Sequence, residues 1–266
     1  MSRAERVAAA APVLWEDHRL GMAEMGYRGL SEQWLMRRAG DLHWRLIAAA
    51  MGQDRAQFAC ADGRPLYAAF CATRLRLFQP GRPRLGDRLR LEGELSRIGA
   101  SRLASRQSLR LGDDEIGRIE LVSVFVGHDD PARNRSVVRR APRVMAVPPA
   151  APAALALLAR QAARIAAAPP RIEPSHHLLP CPATEFNAAG LLYFPSFAAL
   201  VERADFARGA SAQRLLVERR TVYMGNVDPG ETVGIGFRPA RGGHLAQLAG
   251  PDGRPLALMR SRFHAA

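Results

Sequence analysis

The chain has 266 residues, of which 38 are basic and 25 acidic, so its formal net charge is +13. All 38 basic residues are arginine. A content of 48% hydrophobic and 24% charged residues is typical of a globular protein and excludes disordered, collagen-like and small disulfide-stapled chains. The length allows one large domain or two units that each form a core.

The excess of arginine raises the question of which anionic partner the protein binds. Arginines are nowhere interleaved with aromatic side chains as in a single-strand-binding groove, and no segment has the pattern of a recognition helix or a zinc finger. The complete absence of lysine indicates that codon bias supplies part of the charge. We therefore expect no nucleic-acid partner, while anionic small ligands and acidic proteins stay open.

The cysteines and histidines indicate the redox compartment of the protein and whether it binds a metal ion. Cys60, Cys71 and Cys181 form no C-x-x-C pair, which predicts free thiols in a reducing compartment. His176 and His177 lie together in a proline-flanked stretch without a third ligand at a usual spacing, so we expect a loop and no metal site. Without a leader-like or membrane-spanning apolar run, we expect a cytoplasmic protein and no membrane attachment.

The first half of the chain combines one helix with several strands. A glycine-containing approach at 26–29 leads into a helical apolar pattern over 30–51. Four strand-like segments follow, separated by Pro-Gly, Gly-Asp and Gly-Asp-Asp turns. They are 66–77, 88–98, 101–111 and 115–126.

A break in composition separates the two halves. Residues 129–182 are rich in Pro, Ala and Arg. Within this stretch, 153–167 consists of strong helix formers between Pro152 and Pro169, which predicts a helix. We interpret the rest of the stretch as a linker.

The second half repeats the order of the first. A helical pattern over 191–207 is followed by four strand-like segments, 215–224, 232–238, 244–248 and 255–263. Gly86-Asp87 matches Gly230-Glu231, 144 residues later, and Leu103-Ala104 matches Leu245-Ala246, 142 residues later. These near-equal offsets indicate a duplication.

A long apolar helix and four antiparallel strands bury their apolar faces best when the sheet wraps around the helix. The sequence therefore predicts an α+β protein with a double hot-dog fold, in which one chain forms two helix-wrapped antiparallel sheets. The predicted parts are an N-terminal hot-dog half at 1–128, a linker with a helix at 129–182, and a C-terminal hot-dog half at 183–266.

The stretch 185–194 carries a motif. Its letters, EFNAAGLLYF, resemble the D-x-D-x-x-G-x-x-Y-F signature of hot-dog acyl-CoA thioesterases. Asn187 replaces the second aspartate, which in that family attacks the substrate or activates water. An amide cannot act as a general base, but its NH2 group can donate a hydrogen bond to a thioester oxygen. This departure argues against simple hydrolysis.

With asparagine at that position, the chain resembles the leinamycin-pathway family of bifunctional acyltransferase/decarboxylases, which are double hot-dog proteins of polyketide biosynthesis. The resemblance rests on 29–35 with 40–44, on 65–70, and on 185–194. It implies an enzyme that takes a methylmalonyl group from coenzyme A (CoA), decarboxylates it and delivers the acyl group to an acyl carrier protein. It also implies that Tyr67 is the family's essential tyrosine. Such a reaction requires neither a metal nor an organic cofactor.

The predicted site combines both halves. We expect unpaired backbone N–H groups near Gly190 and Leu191 at the start of the second helix, with Asn187 as a further donor to a substrate oxygen. Tyr67 could hydrogen-bond the substrate, protonate an enolate or form an acyl ester. Ser31 and Glu32 at the opening of the first helix are candidate substrate contacts, and they also suit a helix cap and a first-turn charge. Asn187 likewise suits a helix cap.

Two other function classes stay open at this stage. One is a hot-dog thioesterase or dehydratase, and the other is a non-catalytic module that binds an acyl carrier protein. Acyl-CoA is expected as a substrate and the carrier protein as a partner in the enzymatic case. Pairing of the chain into a homodimer also stays open.

Overall fold

The computed structural model describes residues 5–8, 12–131 and 133–264; the ends of the two predicted halves, at 1–4 and 265–266, lie outside the described residues. The described helices are α1 (Glu32–Ala50), α2 (Ala153–Ala167), α3 (Pro182–Glu185) and α4 (Phe194–Ala207). The described strands are β1 (Glu5–Ala8), β2 (Val13–Arg19), β3 (Phe58–Ala59), β4 (Pro65–Leu77), β5 (Arg88–Ile98), β6 (Arg102–Leu111), β7 (Asp114–His128), β8 (Val137–Arg139), β9 (Val144–Val147), β10 (His176–Leu178), β11 (Leu215–Tyr223), β12 (Val233–Ala240), β13 (Gly243–Ala249) and β14 (Pro255–His264).

The strand order shows the duplication directly. In the described part of the chain, ten strands of a 12-stranded sheet run in the order β10-β12-β13-β14-β11-β4-β7-β6-β5-β2, and β3 and β8 pair with β4 and β7 beside this path. The last five strands repeat the order of the first five in reverse, and each half places its helix, α1 or α4, after its edge strand. The predicted double hot-dog fold is confirmed, with the two half-sheets joined edge to edge into one sheet.

The junction of the halves is a short antiparallel ladder between β4 and β11. At this ladder Thr73 lies directly opposite Thr221. Tyr67 precedes Thr73 in β4 by the same number of residues as Leu215 precedes Thr221 in β11. Tyr67 and Leu215 therefore occupy equivalent positions in the two halves. The glycines before the two helices, Gly29 and Gly190, both have a positive φ, near +71° and +72°. Equivalent positions in the two halves can therefore be identified.

Helices α1 and α4 pack against the sheet and bury their apolar sides. Leu42 of α1 and Phe197 of α4 are fully buried, and burial of such a side chain contributes about 1.5–3 kcal/mol. Where α1 passes α4, a Cβ atom on Gly40 would lie 2.8 Å from the ring of Phe194. A larger residue than glycine at position 40 would displace that ring. The predicted helices are confirmed, except that α4 begins three residues later than expected.

The predicted linker is more structured than its composition indicates. Helix α2 has the predicted bounds and packs Leu155 and Leu158 against β4 and β11 around Val222. Strand β8 pairs with β7, β9 pairs in parallel with β1, and β10 pairs with β12. These strands are too short to give a clear alternating pattern in the sequence. The proposed domain boundaries stay a prediction.

At the edges, one expectation is corrected and one strand was missed. His176 and His177 lie in strand β10 and not in a loop. The edge strand β2, which exposes every second side chain to solvent, was not predicted. Among the described residues, no group of three His, Cys, Asp or Glu side chains is placed to hold a metal. None of the described helices has the length and apolarity to cross a membrane.

Candidate active site

A cavity of about 610 Å³ lies between the start of β4 and the loop before α4. Tyr67 and Asn187 both line it, although they are 120 residues apart in the chain. The walls also include apolar side chains of β7 and α4. These are Val124, Val126, Phe194 and Phe197. The two residues that the sequence predicts for one composite site are thus brought to one cavity.

The amide of Asn187 is held in one orientation. Its Oδ1 accepts hydrogen bonds from the backbone N–H groups of Ala189, at 3.0 Å, and Leu191, at 3.1 Å. Because two N–H donors meet this atom, it must be the oxygen, and the NH2 group must point the other way. The Asn187 NH2 has no acceptor among the described residues. It is therefore free to donate to a ligand in the cavity.

The backbone N–H groups that we expected to donate to a substrate already donate hydrogen bonds within the protein. The Gly190 N–H donates to the Asn187 carbonyl at 2.9 Å, and the Leu191 N–H donates to the Asn187 side chain. The helix α4 begins at Phe194, so these residues belong to a closed turn before it and not to its first turn. Leu191 lines the cavity, whereas Gly190 is not among its lining residues and is needed for its positive φ.

Two asparagines that sequence reasoning missed hold this loop in place. The Asn134 side chain is buried and donates to the carbonyls of Gly190 and Val227, both at 2.7 Å. Asn226 accepts from the Leu192 N–H at 2.8 Å and donates to the Leu192 carbonyl at 3.1 Å. Both asparagines line the cavity. Asn134 belongs to the predicted linker, which explains why no pattern pointed to it.

Tyr67 is half-buried and stands among aromatic rings. The ring of Trp44 lies 6.4 Å from it, centroid to centroid, and the Trp44 indole N–H donates to the Ala68 carbonyl at 3.0 Å. The ring of His128 meets Tyr67 edge-on at 6.2 Å. Both nitrogens of His128 are buried and have no hydrogen-bond partner among the described residues. These contacts place the Tyr67 ring at the cavity wall.

The titratable side chains near the cavity differ in how deeply they are buried. Asp41 lines the cavity at its rim, with its side chain 58% exposed, and partial burial raises the pKa of its carboxyl. Burial together with Asp41 raises the pKa of the neighbouring Tyr193 to about 12. His43 is fully buried between Ser105 and Ser123, with both ring nitrogens 2.8 Å from a serine hydroxyl. His43 therefore belongs to the core.

The structure places Ser31 and Glu32 elsewhere. Both line a second cavity of about 440 Å³, at the start of α1 and of β11. Ser31 caps α1 by accepting from the Trp34 N–H at 3.3 Å. Glu32 pairs with the buried Arg219 at 2.9 Å. They do not join Tyr67 and Asn187, and each already serves the fold.

Comparison with known proteins gives the fold family. No protein-family model and no curated protein matches the sequence. An acyl-ACP thioesterase from Bacteroides thetaiotaomicron has a similar structure, with a TM-score of 0.67 at 8% identity over 95% of this chain and 98% of that one. The 12:0-ACP thioesterase from Umbellularia californica gives 0.65 at 12% identity, over 95% and 97%. A MaoC-like dehydratase from Phytophthora capsici gives 0.51 at 13% identity, over 96% and 95%. At these identities the similarity shows the hot-dog fold.

Proposed function

We propose that the protein is an acyl-thioester enzyme that decarboxylates a malonyl- or methylmalonyl-type thioester and transfers the acyl group from CoA to an acyl carrier protein. The observation that carries this proposal is the free NH2 group of Asn187 in a cavity shared with the Tyr67 hydroxyl. The solved structures of the same fold named above include enzymes that act on acyl-ACP thioesters, which supports the substrate class.

The reaction places few demands on the site. The bond between the α-carbon and the carboxylate breaks, CO2 leaves, and the electron pair moves to the thioester oxygen as an enolate. The Asn187 NH2 would donate to that oxygen, where the charge develops. A proton from the Tyr67 hydroxyl, restored from water, would then be added to the α-carbon. The carrier's thiol attacks the carbonyl carbon, and CoA leaves as a thiol with the proton that the attacking thiol loses.

The surroundings of these two groups suit decarboxylation. Phe194 and Phe197 form apolar walls, and a carboxylate in apolar surroundings loses the hydration that stabilises its charge. CO2 carries no charge, so its departure is favoured there. At position 187 an amide cannot take a proton from water, which makes direct hydrolysis at that residue unfavourable.

One observation favours a second candidate, a thioesterase. Asp41 is the acidic residue that lines the cavity in the described part of the chain, and its raised pKa suits a base that takes up a proton. A water held between Asp41 and a bound thioester would give hydrolysis. Asp41→Asn separates the two candidates, because it would abolish hydrolysis and leave decarboxylation and transfer unchanged.

The proposal is tested with the purified chain, a holo acyl carrier protein, and methylmalonyl-CoA, malonyl-CoA or propionyl-CoA. We expect CO2 release and a gain in carrier mass by a propionyl or acetyl group with the first two substrates. Unchanged carrier mass together with unchanged malonyl-type CoA would contradict the proposal. Free acid released from propionyl-CoA without carrier acylation would establish the thioesterase instead.

A further inference from the structure

Two arginines flank the cavity on the face of the sheet that carries Tyr67. In the ladders β4-β7-β8, Tyr67 lies opposite Val126, and Val126 lies opposite Arg139. In the next row on the same face, Val124 lies opposite Arg102. Directly opposed residues in antiparallel strands share a face. Arg139 and Arg102 therefore project beside an apolar strip that leads to Tyr67.

These two arginines differ from the other cations at the cavity in their partners. Arg135 is paired with Glu231 and Asp252, and Arg254 donates to the Asn226 carbonyl at 2.9 Å. Within the residues that the structure describes, neither the Arg102 nor the Arg139 guanidinium has an ion-pair or hydrogen-bond partner.

Both charges act on the same wall of the cavity. Burial raises the pKa of the Cys71 thiol, which lines the cavity, and the positive charges of Arg102 and Arg139 oppose that shift. The two guanidinium groups thus lie close enough to Cys71 to interact with it electrostatically. Arg139 also lines the cavity itself. One guanidinium lining the cavity and one beside it, both without a partner among the described residues, form a site for an anion with several oxygens.

The distance from Tyr67 indicates which anion fits. Arg139 is two strands away from Tyr67, and neighbouring strands lie about 4.8 Å apart, so the backbone separation is about 10 Å. The carboxylate of a malonyl group lies one carbon from the thioester carbonyl and would stay beside Tyr67 and Asn187. The phosphate of a pantetheine arm lies two amide units away from the sulfur. The phosphate at the far end of this arm can reach the arginines while the thioester stays beside Tyr67 and Asn187.

We propose that Arg102 and Arg139 bind the phosphate of the 4′-phosphopantetheine arm that CoA and the acyl carrier protein share. This inference rests on the proposed function, because it takes the cavity as the thioester site. The strip formed by Val124 and Val126 would contact the arm between the phosphate and the sulfur. The arginine pair would then recognise the carrier group independently of the acyl chain.

The Arg102–Arg139 pair, which we call the clamp, can be tested by ligand binding without any reaction. We would measure the Kd of 4′-phosphopantetheine and of pantetheine by calorimetry for the wild type, Arg102→Gln, Arg139→Gln and the double variant. We expect the wild type to prefer the phosphorylated compound by about 30-fold and the double variant by about threefold or less. Arg88→Gln is the matched control, since Arg88 is an exposed arginine of β5 that does not line the cavity. An undiminished preference in the double variant would overturn the clamp.

Turnover separates failure of the clamp from failure of the proposed function. With methylmalonyl-CoA, we expect the double variant to raise KM by about 30-fold at nearly constant kcat. With the methylmalonyl thioester of N-acetylcysteamine, which lacks a phosphate, we expect no change. A loss with both substrates would mean that the arginines bind the substrate carboxylate, which overturns the clamp. Absence of turnover in the wild type would contradict the proposed function and leave the binding result to decide the clamp.

Discussion

The two cavities occupy equivalent places in the duplicated fold but differ in the side chains that meet there. The first has Tyr67 and Asn187, whereas the second has Leu215 and Gly26 at the equivalent positions. In the second cavity the buried Arg219 instead bridges Glu32 and Glu202. The duplicated fold has two similar clefts, and under the proposed function these two differences decide which cleft carries the chemistry.

The largest expected effect is the loss of the Tyr67 hydroxyl. Tyr67→Phe removes the proposed proton donor and leaves the ring contacts with Trp44 and His128, so we expect decarboxylation to slow about 10³-fold. The rate of CO2 release from methylmalonyl-CoA measures it. Tyr27→Phe is the matched change in the second cavity, where Tyr27 is 80% exposed, and it should keep the wild-type rate. Full turnover in Tyr67→Phe would remove this residue from the mechanism.

The next effect concerns the amide of the first cavity. Asn187→Asp keeps the oxygen that accepts from Ala189 and Leu191, and replaces the free NH2 group by a second oxygen. We expect kcat for decarboxylation to fall about 10²-fold, because a donor to the enolate oxygen is lost. The melting temperature should change little, since the loop contacts remain. Unchanged decarboxylation in a folded Asn187→Asp variant would contradict the role of the NH2 group.

The second cavity should contribute to stability and not to turnover. Arg219→Leu leaves Glu32 and Glu202 without their buried partner, and removing one member of a buried ion pair costs about 3 kcal/mol or more. Glu202 is 40% exposed, so we expect the lower end of that range. Urea denaturation gives the free energy of unfolding, and CO2 release per folded molecule should match the wild type. A variant of native stability with lost turnover would place the second cavity in the reaction.

The smallest expected effect is a pH dependence of the free energy of unfolding. It arises from the interior of the first half and has no counterpart in the second. His43 of α1 corresponds to Ala204 of α4, 161 residues later, and burial lowers the pKa of His43 to about 3. Because this value is below the ordinary 6.5, the fold favours neutral His43. Its contribution is complete above pH 6.5 and is lost as the pH falls towards 3, by about 1.4 kcal/mol per pH unit. Denaturation of His43→Gln should show a weaker pH dependence than the wild type between pH 6.5 and 4.5; equal slopes would contradict this assignment.

The sequence was sufficient for the repeated elements because their patterns are long. The helices and the eight long strands of the two halves are periodic over many residues, and the bounds of α2 were predicted as observed. The motif at 185–194 pointed to Asn187, and the family resemblance implied Tyr67; neither was derived from the repeated pattern alone. The edge strand β10 spans three residues, so it carries too little alternation to be predicted.

The finer features of the site depend on contacts that no local pattern records. The N–H groups of the turn at Gly190 donate hydrogen bonds within the turn, whereas the sequence analysis expected them to donate to the substrate. Asn134 reaches that turn from the middle of the predicted linker, 56 residues away in the chain. The pairing of Glu32 with Arg219 depends on how α1 meets β11, which only the folded chain defines.

The most direct test of the account is a crystal structure with a stable, non-decarboxylating analogue of methylmalonyl-CoA. We predict that its thioester oxygen lies within hydrogen-bond distance of the Asn187 Nδ2 atom in the first cavity. The Tyr67 hydroxyl should lie beside the α-carbon or the oxygen, and no analogue should occupy the second cavity. An analogue bound between Gly26, Leu215 and Arg219, or bound in the first cavity with Asn187 and Tyr67 out of reach, would contradict the account.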